Sequence, residues 1–151
     1  KVFKMDEKEL SEFCEFRLAL ESQALKSAYK NNRLELARVL KDFIKDFKES
    51  IKVNDFKKYN LIDTKFHKSF FILSSNRYLI KNYENINSII ETIRTHSGAA
   101  IVKNAGLGSI KGHISIFKHI KENNLNMALN ELDKHINSWH DDRIIKSSLI
   151  A

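Results

Sequence analysis

Apolar residues recur every three or four positions along most of the chain, which is the spacing of one face of an α-helix. Short polar stretches interrupt this pattern and divide it into segments. We predict an all-α protein, an antiparallel bundle of six or seven helices, because short links join helices that run in opposite directions. The predicted helices cover about 6–29, 33–51, 55–73, 77–103 (with a further break near 84–85), then the segments around Ile110–Phe117 and Leu125–Trp139.

Polar residues at the interruptions predict where helices begin and end. Asp6 is followed three residues later by Glu9, which is the pattern of a capping box. The stretch at 104–108 is rich in glycine but lacks the Lys-Ser/Thr pair of a phosphate-binding loop, so it predicts a connection between helices. The other predicted breaks lie at 31–32, 54–55 and 74–76.

Composition supports an all-helical protein and excludes several other classes. The 151 residues include no proline and four glycines, and fit one domain. The single cysteine, Cys14, cannot form an intrachain disulfide and fits a cytoplasmic protein. No apolar run is long enough to span a membrane, so no membrane association is expected. The net charge of +7 comes from scattered lysines without interleaved aromatic residues, which disfavours nucleic-acid binding by this chain.

Four polar residues fall on predicted apolar faces. Asp63 and His67 are four residues apart and therefore share one face of a helix. His113 and His135 each occupy a core position of one of the last two predicted helices. Three imidazoles and a carboxylate are a sensible ligand set for a divalent metal, most simply Zn, with Ni or Mn as the alternatives.

Two blander interpretations of these residues stay open. Asp63 and His67 could form only a local hydrogen bond, and each of the other two histidines could be a hydrogen-bonded core residue. If a metal is bound, the same four residues could instead serve a mononuclear helical-bundle metalloenzyme that activates water. The sequence shows no additional carboxylate placed as a general base, which favours a binding domain over an enzyme.

Arginines on inner faces are candidates for holding an acidic ligand, because a guanidinium binds a carboxylate through two parallel hydrogen bonds. Arg17 and Arg94 occupy such positions, and His96 continues an apolar row toward the same interior. The alternatives are a helix pair of Arg17 with Glu21, a pair of Arg94 with Glu91 or exposure of Arg94, and ordinary core packing of His96.

Several of these motifs together resemble the FCD domain, the effector-binding half of many GntR-family bacterial transcriptional regulators. Residues 16–21 resemble its first-helix signature, Asp63-Thr64-Lys65-Phe66-His67 matches its D-x-x-F-H motif, and 74–76 with Leu79 resembles its S-x-N-x-x-L turn. His113 and His135 resemble its closing histidine pair. One departure is Gly112, which stands where the family often has Glu and puts a contact around the ligand His113 in doubt.

The resemblance implies a metal-containing helical domain, at residues 6–140, that binds a small carboxylate effector. It also implies a homodimer that contacts operator DNA only through a winged helix-turn-helix domain, which this chain lacks. On this view residues 1–5 are a linker remnant and 141–151 a tail. The effector-binding residues predicted from their positions are Arg17, Arg94 and His96, beside the predicted metal ligands Asp63, His67, His113 and His135.

Overall fold

The computed structural model describes the backbone of residues 5–96 and 99–150, and side-chain packing for 5–96 and 109–143. These residues form five α-helices and no strand. The all-α prediction is confirmed, whereas the predicted count of six or seven helices is wrong. The helices are α1 (Glu7–Lys52), α2 (Phe56–Leu73), α3 (Arg77–Thr95), α4 (Ala99–Lys121) and α5 (Leu125–Ile150).

The predicted break at 31–32 is a kink inside α1 rather than the end of a helix. Asn32 has φ −145° and ψ 41°, outside the helical region. Its side-chain amide donates a hydrogen bond to the carbonyl of Leu73 (2.7 Å), and that of Asn31 donates to the carbonyl of Ser74 (2.8 Å). The two asparagines therefore satisfy carbonyls at the end of α2 that lack partners within their own helix.

The glycine-rich stretch at 104–108 lies within α4 and does not form the predicted connection. The predicted helix over 77–103 ends at Thr95 instead. Glycine lowers helix stability by about 1 kcal/mol at each position. That cost is too small to interrupt a helix of 23 residues that is stabilised by packing against its neighbours.

Three predicted helix starts, those of α1, α2 and α3, are confirmed by their caps. The Asp6 carboxylate accepts a hydrogen bond from the backbone N–H of Glu9, and the Glu9 side chain accepts one from the N–H of Asp6. Asp55 caps α2 by accepting from Lys58 N–H, and the Asn76 side chain caps α3. Polar side chains thus define the short links between helices.

The kink allows both halves of α1 to pack on α2. Glu21 in the first half contacts His67, whereas Phe43 and Phe47 in the second half contact Phe66. α1 also packs against α4 and α5, which pack on each other, and α3 lies beside α2. None of the helices, in the part of the chain described, has the length and apolar character of a membrane span.

Candidate metal centre

Three helices bring the four predicted ligands to one buried place. α2 contributes Asp63 and His67 one turn apart, α4 contributes His113, and α5 contributes His135. One ligand atom from each residue lies within 4.8 Å of all the others, and all four residues are buried. The structure therefore brings together the four residues that the sequence singled out.

The donor atoms of the cluster face one another rather than other protein groups. His113 Nε2 lies 2.9 Å from Asp63 Oδ1, and His67 Nε2 lies 3.6 Å from the same oxygen. His67 Nε2 and His135 Nε2 are 3.2 Å apart. A hydrogen bond at this distance needs a proton on one of the two nitrogens, and a bound cation would take the place of that proton.

His113 supplies the clearest sign that the cluster needs a partner. Its Nε2 is buried and forms no hydrogen bond, because the approach to Asp63 has the distance but not the geometry of one. The other ring nitrogen, Nδ1, lies 3.4 Å from the Tyr59 hydroxyl, which in turn contacts Ser109 Oγ at 2.5 Å. A buried polar atom without a partner costs about 1 to 3 kcal/mol. A cation between Nε2 and the carboxylate would remove that cost.

A buried carboxylate that the sequence analysis did not select, Glu21, orients His67. Glu21 Oε2 lies 2.6 Å from His67 Nδ1, and Oε1 accepts a hydrogen bond of 2.6 Å from Arg17 Nε. The Nδ1 proton of His67 therefore belongs to this hydrogen bond, which leaves Nε2 to face the cluster. Carboxylate–histidine pairs of this kind orient metal-bound imidazoles. The available signal was the spacing, since Glu21 follows Arg17 by one helical turn.

Two carboxylates at the cluster are ionised although they are buried. Burial opposes the charged form of Asp63, but Arg94 and then His67 hold the pKa of this carboxyl well below its usual range. Burial likewise opposes a charged Glu21, yet Arg17 and His67 lower its pKa to about 2. Both carboxylates are therefore negative at neutral pH.

The three histidines differ in protonation. Burial lowers the pKa of His113 and, more strongly, that of His135, so both rings are neutral at pH 7. Burial also disfavours charge on His67, but Glu21 and Asp63 outweigh it and raise its pKa. The site thus stabilises positive charge at His67, where a metal ion on Nε2 would replace the proton.

The three predicted effector residues lie in different surroundings. Arg17 is buried, and its Nε is occupied by Glu21, as the helix-pair alternative predicted. Arg94 forms an ion pair with Asp63 Oδ2 and also contacts Glu91 Oε1 at 2.6 Å. His96 is exposed at the end of α3, where its Nδ1 lies 2.8 Å from the Thr92 carbonyl oxygen. The structure therefore places two of the three beside the cluster.

Gly112 has a packing role that the sequence analysis did not foresee. A Cβ atom built on Gly112 would lie 2.6 Å from His135 Nδ1 and 3.2 Å from its Cγ. Such distances are far below van der Waals contact. The ring of His135 therefore approaches the backbone of α4 more closely than any other residue at position 112 would allow.

Comparisons with known proteins agree with this architecture. Residues 12–138 match the model of the FCD domain. A GntR protein of Streptococcus agalactiae is similar in structure, with a TM-score of 0.71 and 23% identity, over 93% of this chain and 62% of that protein. The metal-free FCD domain of TM0439 is similar with a TM-score of 0.81 and 21% identity, over 97% of this chain and 99% of that one. Curated protein sequences give no match.

Proposed function

Since this chain belongs to the FCD domain family of GntR-type transcriptional regulators, we propose that it is an effector sensor that binds a divalent metal and, through it, a small carboxylate. The chain spans 62% of the length of the S. agalactiae GntR protein. Operator binding is accordingly proposed for a longer protein that carries a winged helix-turn-helix domain, acting as a cytoplasmic homodimer.

The observation that carries this proposal is the unpartnered Nε2 of His113 inside a buried set of four ligand atoms. Buried polar groups in proteins nearly always have a hydrogen-bond partner, and exceptions call for an explanation such as an ion. The residues fit a divalent cation because two imidazoles are neutral, a third is oriented by a carboxylate, and Asp63 supplies negative charge. Three nitrogen donors and one oxygen favour Zn, with Ni and Mn as the alternatives.

A bound metal would supply a Lewis-acidic anchor for an effector carboxylate. We propose that Asp63, His67, His113 and His135 hold it, and that Arg17 and Arg94 contribute positive charge at the edge of the site. Arg94 also fixes the orientation of Asp63 through the ion pair with Oδ2. His96, which is exposed, remains a predicted effector contact at the periphery.

The contact between Glu21 and His67 connects the site to α1, the first helix of the domain. His67 lies on α2, whereas Glu21 and Arg17 lie on α1 and hold each other in the interior. An effector that alters the position of His67 or Arg17 therefore acts directly on α1. The effector can shift the parent protein from one arrangement to the other only as far as its affinities for the two arrangements differ.

The surroundings of the cluster favour binding over catalysis. A hydrolytic metalloenzyme needs a base beside the metal-bound water. Of the two buried carboxylates in the described part of the site, Glu21 is engaged by Arg17 and His67, and Asp63 by Arg94. Neither is available as a general base.

The test is a thermal-shift screen of small carboxylates against the metal-loaded and the chelator-stripped protein. A ligand selective for the folded state stabilises it by about 2.7 kcal/mol at a hundredfold excess over Kd. We expect at least one carboxylate to raise the melting temperature of the metal-loaded protein and to act weakly on the stripped protein. Equal shifts in both forms would separate the effector from the metal and contradict the proposed mechanism.

A further inference from the structure

A third arginine, Arg143 on α5, lies near the candidate metal centre and was not selected from the sequence. Its guanidinium carbon lies 3.9 Å from the centre of the Trp139 ring, and its Nη1 donates to the Trp139 carbonyl at 3.3 Å. Its Nε is buried and has no hydrogen-bond partner. An arginine in an apolar setting normally has its fork of donors satisfied by an anion.

The position of Arg143 on α5 places it on the same face as a metal-ligand candidate. His135, Trp139 and Arg143 follow one another at intervals of four residues. Helix side chains lean toward the N-terminus, and the stacking on Trp139 shows that Arg143 reaches back by one turn. The guanidinium is therefore directed along α5 toward the end that carries His135.

Positive charge is in excess around this place. The Trp139 ring also contacts Arg17, whose guanidinium carbon lies 5.2 Å from the ring centre. Burial, and then the neighbouring charges of Arg94 and Arg17, lower the pKa of Arg143 to about 9. Three guanidiniums thus share this end of the interior with two buried carboxylates, Asp63 and Glu21. The adjacent Asp142 and the exposed Glu91 lie at the edge.

A cavity bordered by His135 and Trp139 provides room for a small ligand. It has a volume of about 170 Å³ and is lined by Gly112 on α4 and by His135, Trp139 and the charged residues Glu131, Lys134 and Asp142 on α5, but by none of the three arginines. A water molecule takes about 30 Å³ in the liquid, so the cavity suits a molecule of a few carbon atoms. His135 and Trp139, which border the metal centre and the Arg143 stack, thus also border open space.

We propose that Arg143, seated on Trp139 beside Arg17, receives a second acidic group of the effector. The preferred ligand is then a short dicarboxylate or larger polyacid, with one carboxylate at the metal and another at Arg143. This inference rests on the proposed carboxylate-sensing function and adds the class of ligand that the site selects.

The test uses calorimetric titration of the metal-loaded full chain with succinate and with butyrate, which share a four-carbon chain and differ by one carboxylate. We expect wild-type protein to bind succinate at least tenfold more tightly. Arg143→Gln should weaken succinate binding roughly tenfold to a hundredfold, the range for a hydrogen bond between charged groups, and leave butyrate binding within twofold. Arg143→Lys, which keeps the charge without the fork, should recover part of the succinate affinity.

Arg38→Gln is the matched control, because Arg38 is exposed and pairs with Glu35 and Asp42 away from the site. It should leave both affinities unchanged. Equal binding of succinate and butyrate by the wild type overturns the assignment of Arg143, even if Arg143→Gln does not fold. Equal weakening of both ligands in Arg143→Gln also overturns it, since a merely structural role would act on both. If neither ligand binds but another monocarboxylate does, the sensor function stands and the dicarboxylate preference fails; if no carboxylate binds, both fail.

Discussion

Two polar regions of this domain, the half-buried kink of α1 and the buried histidine cluster, differ in whether the protein satisfies their hydrogen bonds. At the kink of α1, Asn31 and Asn32 donate to the last carbonyls of α2, and the Ser74 hydroxyl donates to the Phe71 carbonyl. In the candidate metal centre, by contrast, His113 Nε2 has no hydrogen bond. The first region is complete within the chain, whereas the second leaves one nitrogen without a partner, and the proposed cation would be that partner.

This difference separates structural from functional polar residues. A polar group that maintains the fold finds its partner in the protein, because an unsatisfied group would lower stability. A group that binds a ligand remains without one until the ligand arrives. A variant in one region can therefore be compared with a control variant in the other.

The largest effect is expected for His67→Ala. Removing one of four ligands that lie on rigid helices should lower the affinity for Zn at least a hundredfold. Metal content by plasma emission should fall accordingly. Asn32→Ala, the control from the kink, should retain full metal content, and a comparable loss in that variant would show that metal binding reports only on folding.

Glu21→Gln should have the next largest effect, because Glu21 orients His67 and neutralises Arg17. Loss of a carboxylate that orients a metal-bound histidine typically lowers metal affinity tenfold to a hundredfold. Leaving Arg17 buried without its anion should also lower the free energy of unfolding by about 3 to 5 kcal/mol at pH 7. Urea unfolding and zinc titration measure the two effects separately.

The same carboxylate gives a pH dependence with a defined sign. The pKa of Glu21 falls from 4.5 to about 2 in the folded protein, so the charged form stabilises the fold above pH 4.5. This stabilisation declines as the pH falls from 4.5 and is gone below about 2. The difference in unfolding free energy between wild type and Glu21→Gln should shrink over that interval in metal-free protein. A difference that is constant with pH would contradict the buried ion pair.

Gly112→Ala should have an intermediate effect. The new Cβ would lie 2.6 Å from His135 Nδ1, and the ring must therefore move. A ligand displaced by more than about 0.5 Å weakens a site, and we expect a roughly tenfold lower affinity for Zn. Ser138→Ala, at an exposed position of α5, is the control and should bind Zn normally. Wild-type affinity in Gly112→Ala would contradict the packing role assigned to Gly112.

The smallest effect is expected for Asn32→Ala, which removes the hydrogen bond to the Leu73 carbonyl. We expect a loss of about 1 to 2 kcal/mol in the free energy of unfolding and a melting temperature lower by about 2 to 8 °C. Zinc affinity should stay within twofold of wild type. Thermal unfolding in the presence of chelator measures the stability change without a metal contribution.

The sequence predicted the helical segments and the four residues of the cluster better than it predicted the links between helices and the residues around the cluster. Asp63, His67, His113 and His135 stood out because each interrupts an apolar helical face. The interruption at 31–32 was predicted, but not that it is a kink within one helix, since the kink depends on carbonyls of α2 that are distant in sequence. Glu21 and Arg143 were missed for a similar reason, because their partners, His67 and the Arg17–Trp139 pair, come from other helices.

The most direct test of the central claim is a calorimetric titration of chelator-stripped protein with Zn, in parallel with the His113→Ala variant. His113 carries the unpartnered Nε2, so it distinguishes a metal site from a hydrogen-bonded core. We predict one Zn per chain in the wild type and affinity at least a hundredfold lower in His113→Ala. Absence of Zn binding by the folded wild type, or equal affinity in both proteins, would contradict the assignment of this cluster as a metal centre.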